Sequence, residues 1–318
     1  MAFRLRKILV AIRDTTHTPR AMLRKAATLA KASGASVELF HAMSAPVSIG
    51  AVRGRRGLQS PQQTMDAMSE DAKRKLDRMA RSVFPRNARV TSETTWDYPP
   101  HEAIVRRALA TRADLVIAAA HQGRLARLFV NYTDWELIRH CPVPVLLVKS
   151  PRDYNRPVIV AAVDPFHARA KPAALDARLL EASVEWARLL KGEAHSFHAY
   201  QPLVAMVPTG FGAPLPLLAP DAEDEHGRQI RKALGDLSRR AGIPPARQHV
   251  MIGDVPSTLV AIVRRTKASL VVMGAISRSR LSRVFIGNTA EQVLDRLPCD
   301  ALILKPRDFR TTITASGR

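Results

Sequence analysis

The feature that constrains this chain most is an internal duplication. The same order of apolar and polar segments occurs twice in 318 residues, with an offset of roughly 150 residues. A repeat of this length indicates two copies of one domain, because each copy contains enough segments to build its own core. We therefore predict two homologous domains, residues 1–150 and 151–318. The matching segments are Ile8–Asp14 with Val158–Asp164, Phe40–Ala42 with Phe197–Ala199, Ala113–Ile117 with Ala268–Val272, and Pro144–Lys149 with Asp300–Lys305.

Composition favours two soluble domains in a reducing compartment. Apolar residues make up 46% of the sequence, which suffices for both halves to bury a core. The two cysteines, Cys141 and Cys299, lie just before or at the start of the last apolar strand of each half, a usual position for a small buried thiol. No stretch approaches the roughly 18 uninterrupted apolar residues of a membrane span, and residues 1–7 precede an apolar run too short for a signal peptide. We expect a soluble, cytoplasmic protein without a membrane span.

The net charge is the unusual bulk property. Lys and Arg number 49 and Asp and Glu 28, which leaves a net charge of +21. Such an excess attracts polyanions, so nonspecific contact with nucleic acid at low salt is one expectation. The alternative is an evenly solvated basic surface. Aromatic residues make up only 5% and no nucleic-acid-binding motif is recognisable, so the sequence does not indicate a specific nucleic-acid site.

Each half alternates apolar strands with amphipathic helices. This order predicts an α/β fold in which a five-stranded parallel sheet carries helices on both faces. We expect Gly34 and Gly192 to end the first helix of each half, and Asp97 and Asp254 to cap the third. The predicted strands are Ile8–Ile12, Val37–His41, Val90–Thr95, Leu115–Ala119, Val145–Val148, Val158–Val163, His195–Ala199, His249–Ile252, Leu270–Met273 and Ala301–Leu304. The predicted helices are Arg20–Ser33, Gln62–Val83, Pro100–Thr111, Thr133–His140, Leu175–Leu190, Asp224–Ala241, Ser257–Thr266 and Thr289–Leu297.

A sheet of this kind binds its ligand outside the carboxyl ends of the strands, where the strand order reverses. With the first strand of each half in the middle, this crevice lies between the ends of its first and fourth strands. The acid after the first strand, Asp14 or Asp164, would then face the loop that begins at Ala119 or Gly274. The last strand of each half is a sheet edge, and we expect the corresponding strand of the other half to cover it as an internal pseudo-dimer. The sequence leaves a further homodimer open.

The loop after the fourth strand of the second half has the composition of a phosphate-binding segment. Gly274 follows the strand, and Gly287-Asn288-Thr289 opens the last helix. A glycine allows close backbone approach, and a helix N-terminus presents unpaired N–H groups at the positive end of its dipole. Arg278, between the two, can donate hydrogen bonds to phosphate. Asn288 can also form a capping box with Glu291, which is a purely structural role.

These residues resemble the nucleotide-binding loop of the universal stress protein family, which reads Gly-x-x-Gly, nine residues, then Gly-Ser or Gly-Thr. Gly274 and Gly287 fall on its first and last glycines, whereas Ser277 stands where the middle glycine belongs and Asn288 where the hydroxyl residue belongs. The segment from Gly287 to Val293 resembles the tandem, E-type members of that family. The resemblance covers essentially the whole chain.

The resemblance implies two tandem HUP domains, which are Rossmann-like domains of the adenine nucleotide alpha hydrolase-like type. It also implies a cytoplasmic stress-response protein with no established catalytic reaction. In nucleotide-binding relatives the acid after the first strand contacts adenine or ribose, and Asp164 takes that position in the second half. The implied ligand is ATP or another adenine nucleotide. The residues that would hold it are Asp164, Gly274, Ser277, Arg278, Gly287, Asn288 and Thr289.

The first half departs further from this pattern. Ala119 replaces the strand-end glycine, and Asp134 puts a carboxylate at the start of the last helix, where a phosphate would otherwise lie. Either Arg13 or Asp14 takes the position of Asp164. We therefore expect a ligand or partner to bind mainly through the second half.

Three functions stay open from the sequence: binding a small ligand or partner without catalysis, binding and slowly hydrolysing ATP, and associating with polyanions through charge. The uncharged, proline-broken stretch 203–220 could cover an apolar small molecule or could pack over the core. His41, His121 and His198 have no neighbour at metal-ligand spacing, so we expect strand-end histidines held by hydrogen bonds and no metal site. No catalytic residue is assigned.

Overall fold

The chain divides into two compact units. A computed structural model describes residues 4–44, 53–54, 57–58, 61–120, 133–166, 174–202, 204–207, 215–218, 220–275 and 288–315. The first unit comprises Arg4–Tyr154 together with the C-terminal segment that begins at Phe309, and the second unit comprises Asn155–Asp308. Within the described residues, no helix is both long enough and apolar enough to cross a membrane.

The first unit contains one parallel sheet whose central strand is the first in the chain. The elements are β1 (Lys7–Ala11), α1 (Arg20–Ser33), β2 (Ser36–Met43), β3 (Arg53–Gly54), β4 (Gly57–Leu58), α2 (Pro61–Val83), β5 (Val90–Trp96), α3 (Pro100–Ala110), β6 (Leu115–Ala119), α4 (Thr133–His140) and β7 (Val145–Val148). The strand order is β7-β6-β1-β2-β5. Ile8 of β1 lies beside Val37 on one side and Leu115 on the other. The order therefore reverses at β1.

The second unit repeats this architecture. Its elements are β8 (Val158–Ala162), α5 (Ala174–Leu189), β9 (Glu193–Tyr200), β10 (Val204–Val207), β11 (Leu215–Leu218), α6 (Pro220–Arg240), β12 (Gln248–Ile252), α7 (Val255–Thr266), β13 (Leu270–Gly274), α8 (Asn288–Arg296) and β14 (Asp300–Leu304). The strand order is β12-β9-β8-β13-β14, with all four pairings parallel. The reversal falls at β8, the counterpart of β1.

Each sheet is covered on both faces, as the sequence predicts. In the first unit α1 contacts α2 and α3 contacts α4, which gives one helical layer on each side of the strands. The centres of the middle strands are accordingly fully buried, at Ile8–Val10 in β1 and Ile159–Ala161 in β8. The α/β fold class is confirmed. Every predicted strand and helix is present, and the ends agree within two residues except that α6 begins at Pro220 instead of Asp224.

Of the two glycines predicted to end the first helices, one agrees with the structure and one does not. Gly34 ends α1 with the expected left-handed φ of +74°, but the prediction for Gly192 is wrong. Lys191 carries the left-handed φ, +55°, at the end of α5. The N–H of Gly192 donates to the carbonyl of Ala187 at 2.7 Å, the six-to-one bond of a Schellman motif. Glycine is needed there because a Cβ would lie 2.1 Å from the carbonyl oxygen of Pro157.

The two predicted caps of the third helices also behave differently. Asp254 accepts a hydrogen bond from the Ser257 N–H at 2.9 Å and caps α7 as expected. Asp97 does not cap α3, because it pairs with Arg106 through two hydrogen bonds of 2.7 and 2.8 Å. A bidentate guanidinium pair is stronger than a single bond to a backbone N–H, so the carboxylate turns toward the arginine.

Each unit also contains a short antiparallel hairpin that the predicted elements do not include. In the second unit β10 pairs with β11, with Val204 opposite Leu218. This hairpin occupies the ends of the apolar stretch 203–220 and connects the carboxyl end of β9 to α6. In the first unit β3 pairs with β4 at the corresponding place. Residues 208–214 lie outside the described part of the chain.

The two glycines give a matched test of the helix ends. Gly34→Ala should lower the free energy of unfolding by about 1 kcal/mol, because only the left-handed backbone is penalised and, apart from its chain neighbours, no atom of the described residues lies within 4 Å of the new Cβ. Gly192→Ala should cost at least about 3 kcal/mol, because the clash is with backbone and no side-chain rotation relieves it. Denaturant unfolding of both variants measures the difference. Equal effects would contradict the account of Gly192.

Candidate functional site

The crevice of the first unit contains a cavity. It has a volume of about 300 Å³ and lies at the carboxyl ends of β1, β2 and β6, under the first turns of α3 and α4. Ile104 and Leu137 supply its apolar wall, while Arg13 and Asp134 bring opposite charges to it. Asp134 is the second residue of α4. Its carboxylate therefore sits at the positive end of that helix dipole.

The strand registers decide which residue of the first unit corresponds to Asp164. Ala11 is paired with Phe40 in the first unit, and Ala162 is paired with Phe197 in the second. Arg13 and Asp164 each lie two residues after these paired alanines, so Arg13 is the structural counterpart of Asp164. The alignment of Asp14 with Asp164 is therefore wrong by one residue. The two crevices carry opposite charges at this position.

Asp14 has a local role instead. Its carboxylate accepts hydrogen bonds from the N–H and the hydroxyl of Thr16, both at 2.7 Å, and lies 3.1 Å from His17 Nδ1. The hydrogen bonds from Thr16, followed by that from His17, lower the pKa of Asp14 to about 2. The side chain of Asp14 is exposed and closes a turn after β1. It does not line the described cavity.

One hydrogen bond recurs at the same place in both units. Nδ1 of His41 lies 2.7 Å from the carbonyl oxygen of Ile12, and Nδ1 of His198 lies 2.9 Å from that of Val163. Each bond ties the end of a central strand to its neighbour, directly before Arg13 or Asp164. The prediction that these histidines are held by hydrogen bonds is confirmed for His41 and His198. His121 lies outside the described residues.

Asp164 occupies the carboxyl end of β8 in the second unit. Its side chain is half-buried, and Oδ1 lies 3.9 Å from Nδ1 of His198. The Asp164 N–H points at Oδ1 of Asp176 on α5, at 3.3 Å. The backbone at this strand end is thus fixed from two directions. The half-buried carboxylate at this strand end can accept hydrogen bonds from a hydroxyl or a ring N–H.

An aromatic cluster lies beside Asp164. Phe166 is exposed, and its ring centroid is 6.4 Å from that of His198 and 6.1 Å from that of His226. Tyr200 packs edge-on against His226 at 5.5 Å. These residues come from the end of β8, from β9 and from α6, so no local sequence pattern joins them. This cluster is therefore not predictable from the sequence alone.

Gly274 ends β13, the strand next to β8. A Cβ at this position would lie 2.8 Å from Cδ2 of Leu175 on α5, so helix packing alone accounts for a small residue. Ala119 is its counterpart in the first unit by strand register. Helix α8 begins at Asn288, and Thr289 is exposed in its first turn. Ser277, Arg278 and Gly287 lie outside the described residues. Asp164 and Gly274 are thus placed at the ends of adjacent strands.

A pair of histidines lies on β9 and β12, on the other side of the central strand β8 from Gly274. Nδ1 of His195 on β9 and Nε2 of His249 on β12 are 2.9 Å apart, and the rings stack at 5.2 Å. Burial lowers the pKa of both, and the charge of His195 and of Arg265 helps to lower that of His249 to about 4. The pair is therefore neutral near pH 7 in the folded protein.

The fold is that of a tandem α/β protein of Rossmann-like type, with the strand order reversing at the central strand of each unit. A family model described as the universal stress protein family matches residues 4–149 and 158–305. This chain belongs to that family. The tandem arrangement and the stress-response class follow from the match.

Individual relatives agree with the assignment. The chain is 32% identical over 229 residues to universal stress protein E of Escherichia coli K12, a match that covers 70% of each protein. A universal stress protein E homolog of Haemophilus influenzae is 28% identical over 219 residues, 68% of this chain and 69% of the relative.

Solved structures share the fold over nearly the full length. A protein of unknown function from Pseudomonas aeruginosa PAO1 superposes with a TM-score of 0.69 at 22% identity, covering 96% of this chain and 94% of the other. A universal stress protein from Archaeoglobus fulgidus gives a TM-score of 0.62 at 17% identity, covering 96% and 98%. At these identities the likeness concerns the fold alone.

The histidine pair predicts acid sensitivity. The pKa of His249 falls from 6.5 to about 4 on folding, so between these values the unfolded chain binds more protons, and stability falls as the pH falls. The slope for one extra proton cannot exceed about 1.4 kcal/mol per pH unit. His249→Gln should lose less stability between pH 7 and pH 5 than the parent protein. Denaturant unfolding at both pH values measures this, with His17→Gln, at an exposed histidine, as control. A loss in His249→Gln equal to that of the parent would contradict the burial argument.

Proposed function

We propose that this chain is a cytoplasmic stress-response protein that binds an adenine nucleotide or similar anionic small ligand, without catalysis, mainly through the crevice of its second unit. The observation that carries the proposal is the position of Asp164 at the reversal of the strand order. It lies at the end of the central strand, beside the glycine that ends β13. In doubly wound sheets this is the edge at which ligands bind.

The side chains around Asp164 suit the two ends of a nucleotide. The exposed ring of Phe166, which lies 6.4 Å from His198, offers a face on which a base can stack. The Asp164 carboxylate can accept hydrogen bonds from ribose or adenine. Phosphates would then lie toward the start of α8, where Gly287, Asn288 and Thr289 are uncharged and the first acid, Glu291, is the fourth residue of the helix. Ser277 and Arg278 complete this proposed set.

The corresponding edge of the first unit is less suited to such a ligand. Asp134 already satisfies the N-terminal dipole of α4 and would repel a phosphate there. Arg13 takes the place of the carboxylate that would face the sugar. The cavity of about 300 Å³ at this edge is large enough for a small molecule. Its charges nevertheless oppose the proposed arrangement.

Net charge supports a second, weaker association with polyanions. The excess of +21 applies to the whole chain, but cations on α2 are partly matched by acids one turn away. Lys75 lies 2.6 Å from Asp71, and Arg74 lies 3.6 Å from Glu70. Such paired, exposed charges form a solvated face more readily than a binding stripe. Any polyanion affinity should therefore fall steeply with salt.

Calorimetric titration with ATP tests the proposed site. We expect saturable binding of one nucleotide per chain. Asp164→Ala should weaken binding by about 10- to 100-fold, because a hydrogen bond to a charged group contributes roughly 1.5–3 kcal/mol. The matched control is Arg13→Ala, which removes the side chain at the equivalent position of the first unit and should leave the affinity unchanged.

Three results would contradict the proposal. They are no binding of ATP at physiological salt, equal binding by Asp164→Ala and the parent, and loss of binding in Arg13→Ala alone. Repeating the titration at low and high salt separates a defined site from attraction by net charge. If the protein hydrolyses ATP after repurification and Asp164→Ala does not, its function is slow ATP hydrolysis and not binding without catalysis.

A further inference from the structure

Three side chains with metal-binding chemistry meet between two helices of the first unit. His101 is the second residue of α3, and Glu136 and His140 lie one turn apart on α4. The two helices pack against each other. One ligand atom from each of the three side chains lies within 4.8 Å of the other two. Only the spacing of Glu136 and His140 is visible in the sequence, because His101 comes from another helix.

The three side chains are already oriented toward one another. Nε2 of His140 lies 3.2 Å from Oε2 of Glu136, and the rings of His101 and His140 stack with centroids 5.8 Å apart and an interplanar angle of 28°. All three residues are half-buried. Nδ1 of His140 is buried and has no hydrogen-bond partner among the residues that the structure describes. An unsatisfied buried nitrogen is costly, by about 1–3 kcal/mol.

We propose that His101, Glu136 and His140 form a binding site for a divalent transition metal, with zinc as the best match. Two imidazoles and one carboxylate are a donor set that zinc accepts, with a fourth coordination position left for water or another ligand. Magnesium and calcium prefer sites made only of oxygen atoms. The donors have to approach by roughly 1 Å to reach zinc distances. Rotation about the side-chain torsions of His101, Glu136 and His140 is the movement that the proposal requires.

The surroundings support a cation at this place. Arg139 donates to Oε1 of Glu136 at 2.7 Å, so one carboxylate oxygen is held while Oε2 stays on the histidine side. Hydrogen bonds of this type orient metal ligands from outside. Arg106, the nearby cation of α3, is paired with Asp97 at 2.7 Å and with Glu102 at 2.8 Å. Its charge is thereby largely compensated.

Metal binding would connect the two helices that wall the cavity of the first unit. Ile104 of α3 and Leu137 of α4 both line that cavity, one turn or less from the proposed ligands. A metal bound to both helices fixes their separation. The first unit would then bind a metal independently of any nucleotide binding by the second unit.

Titration of the full-length, metal-stripped protein with zinc alone, against a chromophoric chelator, tests the site. We expect one zinc ion per chain. His101→Ala, His140→Ala and Glu136→Gln should each weaken binding by at least about tenfold. Zinc should also raise the melting temperature of the parent protein and not that of His101→Ala. Magnesium should do neither.

The controls are histidines outside the proposed site. His17→Ala removes an exposed histidine of the first unit, and His249→Ala disrupts the histidine pair of the second unit; both should bind zinc as the parent does. Circular dichroism without metal identifies any variant that fails to fold. If the α4 variants fail to fold, His101→Ala decides the test, because a substitution in the first turn of α3 disturbs the helix least. Absence of zinc binding, unchanged affinity in His101→Ala, or loss only in His249→Ala would overturn the proposal.

Discussion

The structure depends on the pairing of one central strand in each unit with parallel neighbours on both sides. β1 lies between β2 and β6, and β8 lies between β9 and β13. Parallel strands require helical crossovers, and right-handed crossovers that leave in opposite directions must cover opposite faces. This explains why Ile8–Val10 and Ile159–Ala161 are fully buried. It also opens a crevice at the carboxyl end of each central strand, where no helix can cross.

Duplication has kept the frame of this crevice while changing its chemistry. The bond from His41 to the carbonyl of Ile12 has its counterpart between His198 and Val163, so the backbone is held alike in both units. The next residue is Arg13 in one unit and Asp164 in the other. This charge reversal on an equivalent backbone is the reason we propose different ligand preferences for the two crevices. The tandem chain can therefore hold two different sites on one architecture.

Backbone organisation was largely readable from the sequence because apolar periodicity reports burial directly. Strands such as Leu115–Ala119 and Val145–Val148 were placed without error. Predictions failed where the role of a residue depends on contacts outside its own turn. Gly192 follows the left-handed residue at the end of α5, and a glycine is required there by the carbonyl of Pro157. The cap predicted at Asp97 is wrong because its carboxylate pairs with Arg106, about two turns into α3.

Side-chain clusters were less predictable than strands for the same reason. The equivalence of Arg13 and Asp164 required the strand register, since the two aliphatic runs can be aligned with either offset. The ring cluster around Phe166 draws on three elements, and the site formed by His101, Glu136 and His140 draws on two. The i, i+4 spacing of Glu136 and His140 is the only part of this site that the sequence shows.

Hydrogen–deuterium exchange with and without ATP tests the central claim, the assignment of the ligand to the second crevice, most directly. The account predicts slower exchange in peptides that cover residues 163–166 and 274–291, with no change at 11–14 and 133–137. Protection at 11–14 and 133–137 instead, or no protection anywhere at saturating ATP, would contradict it.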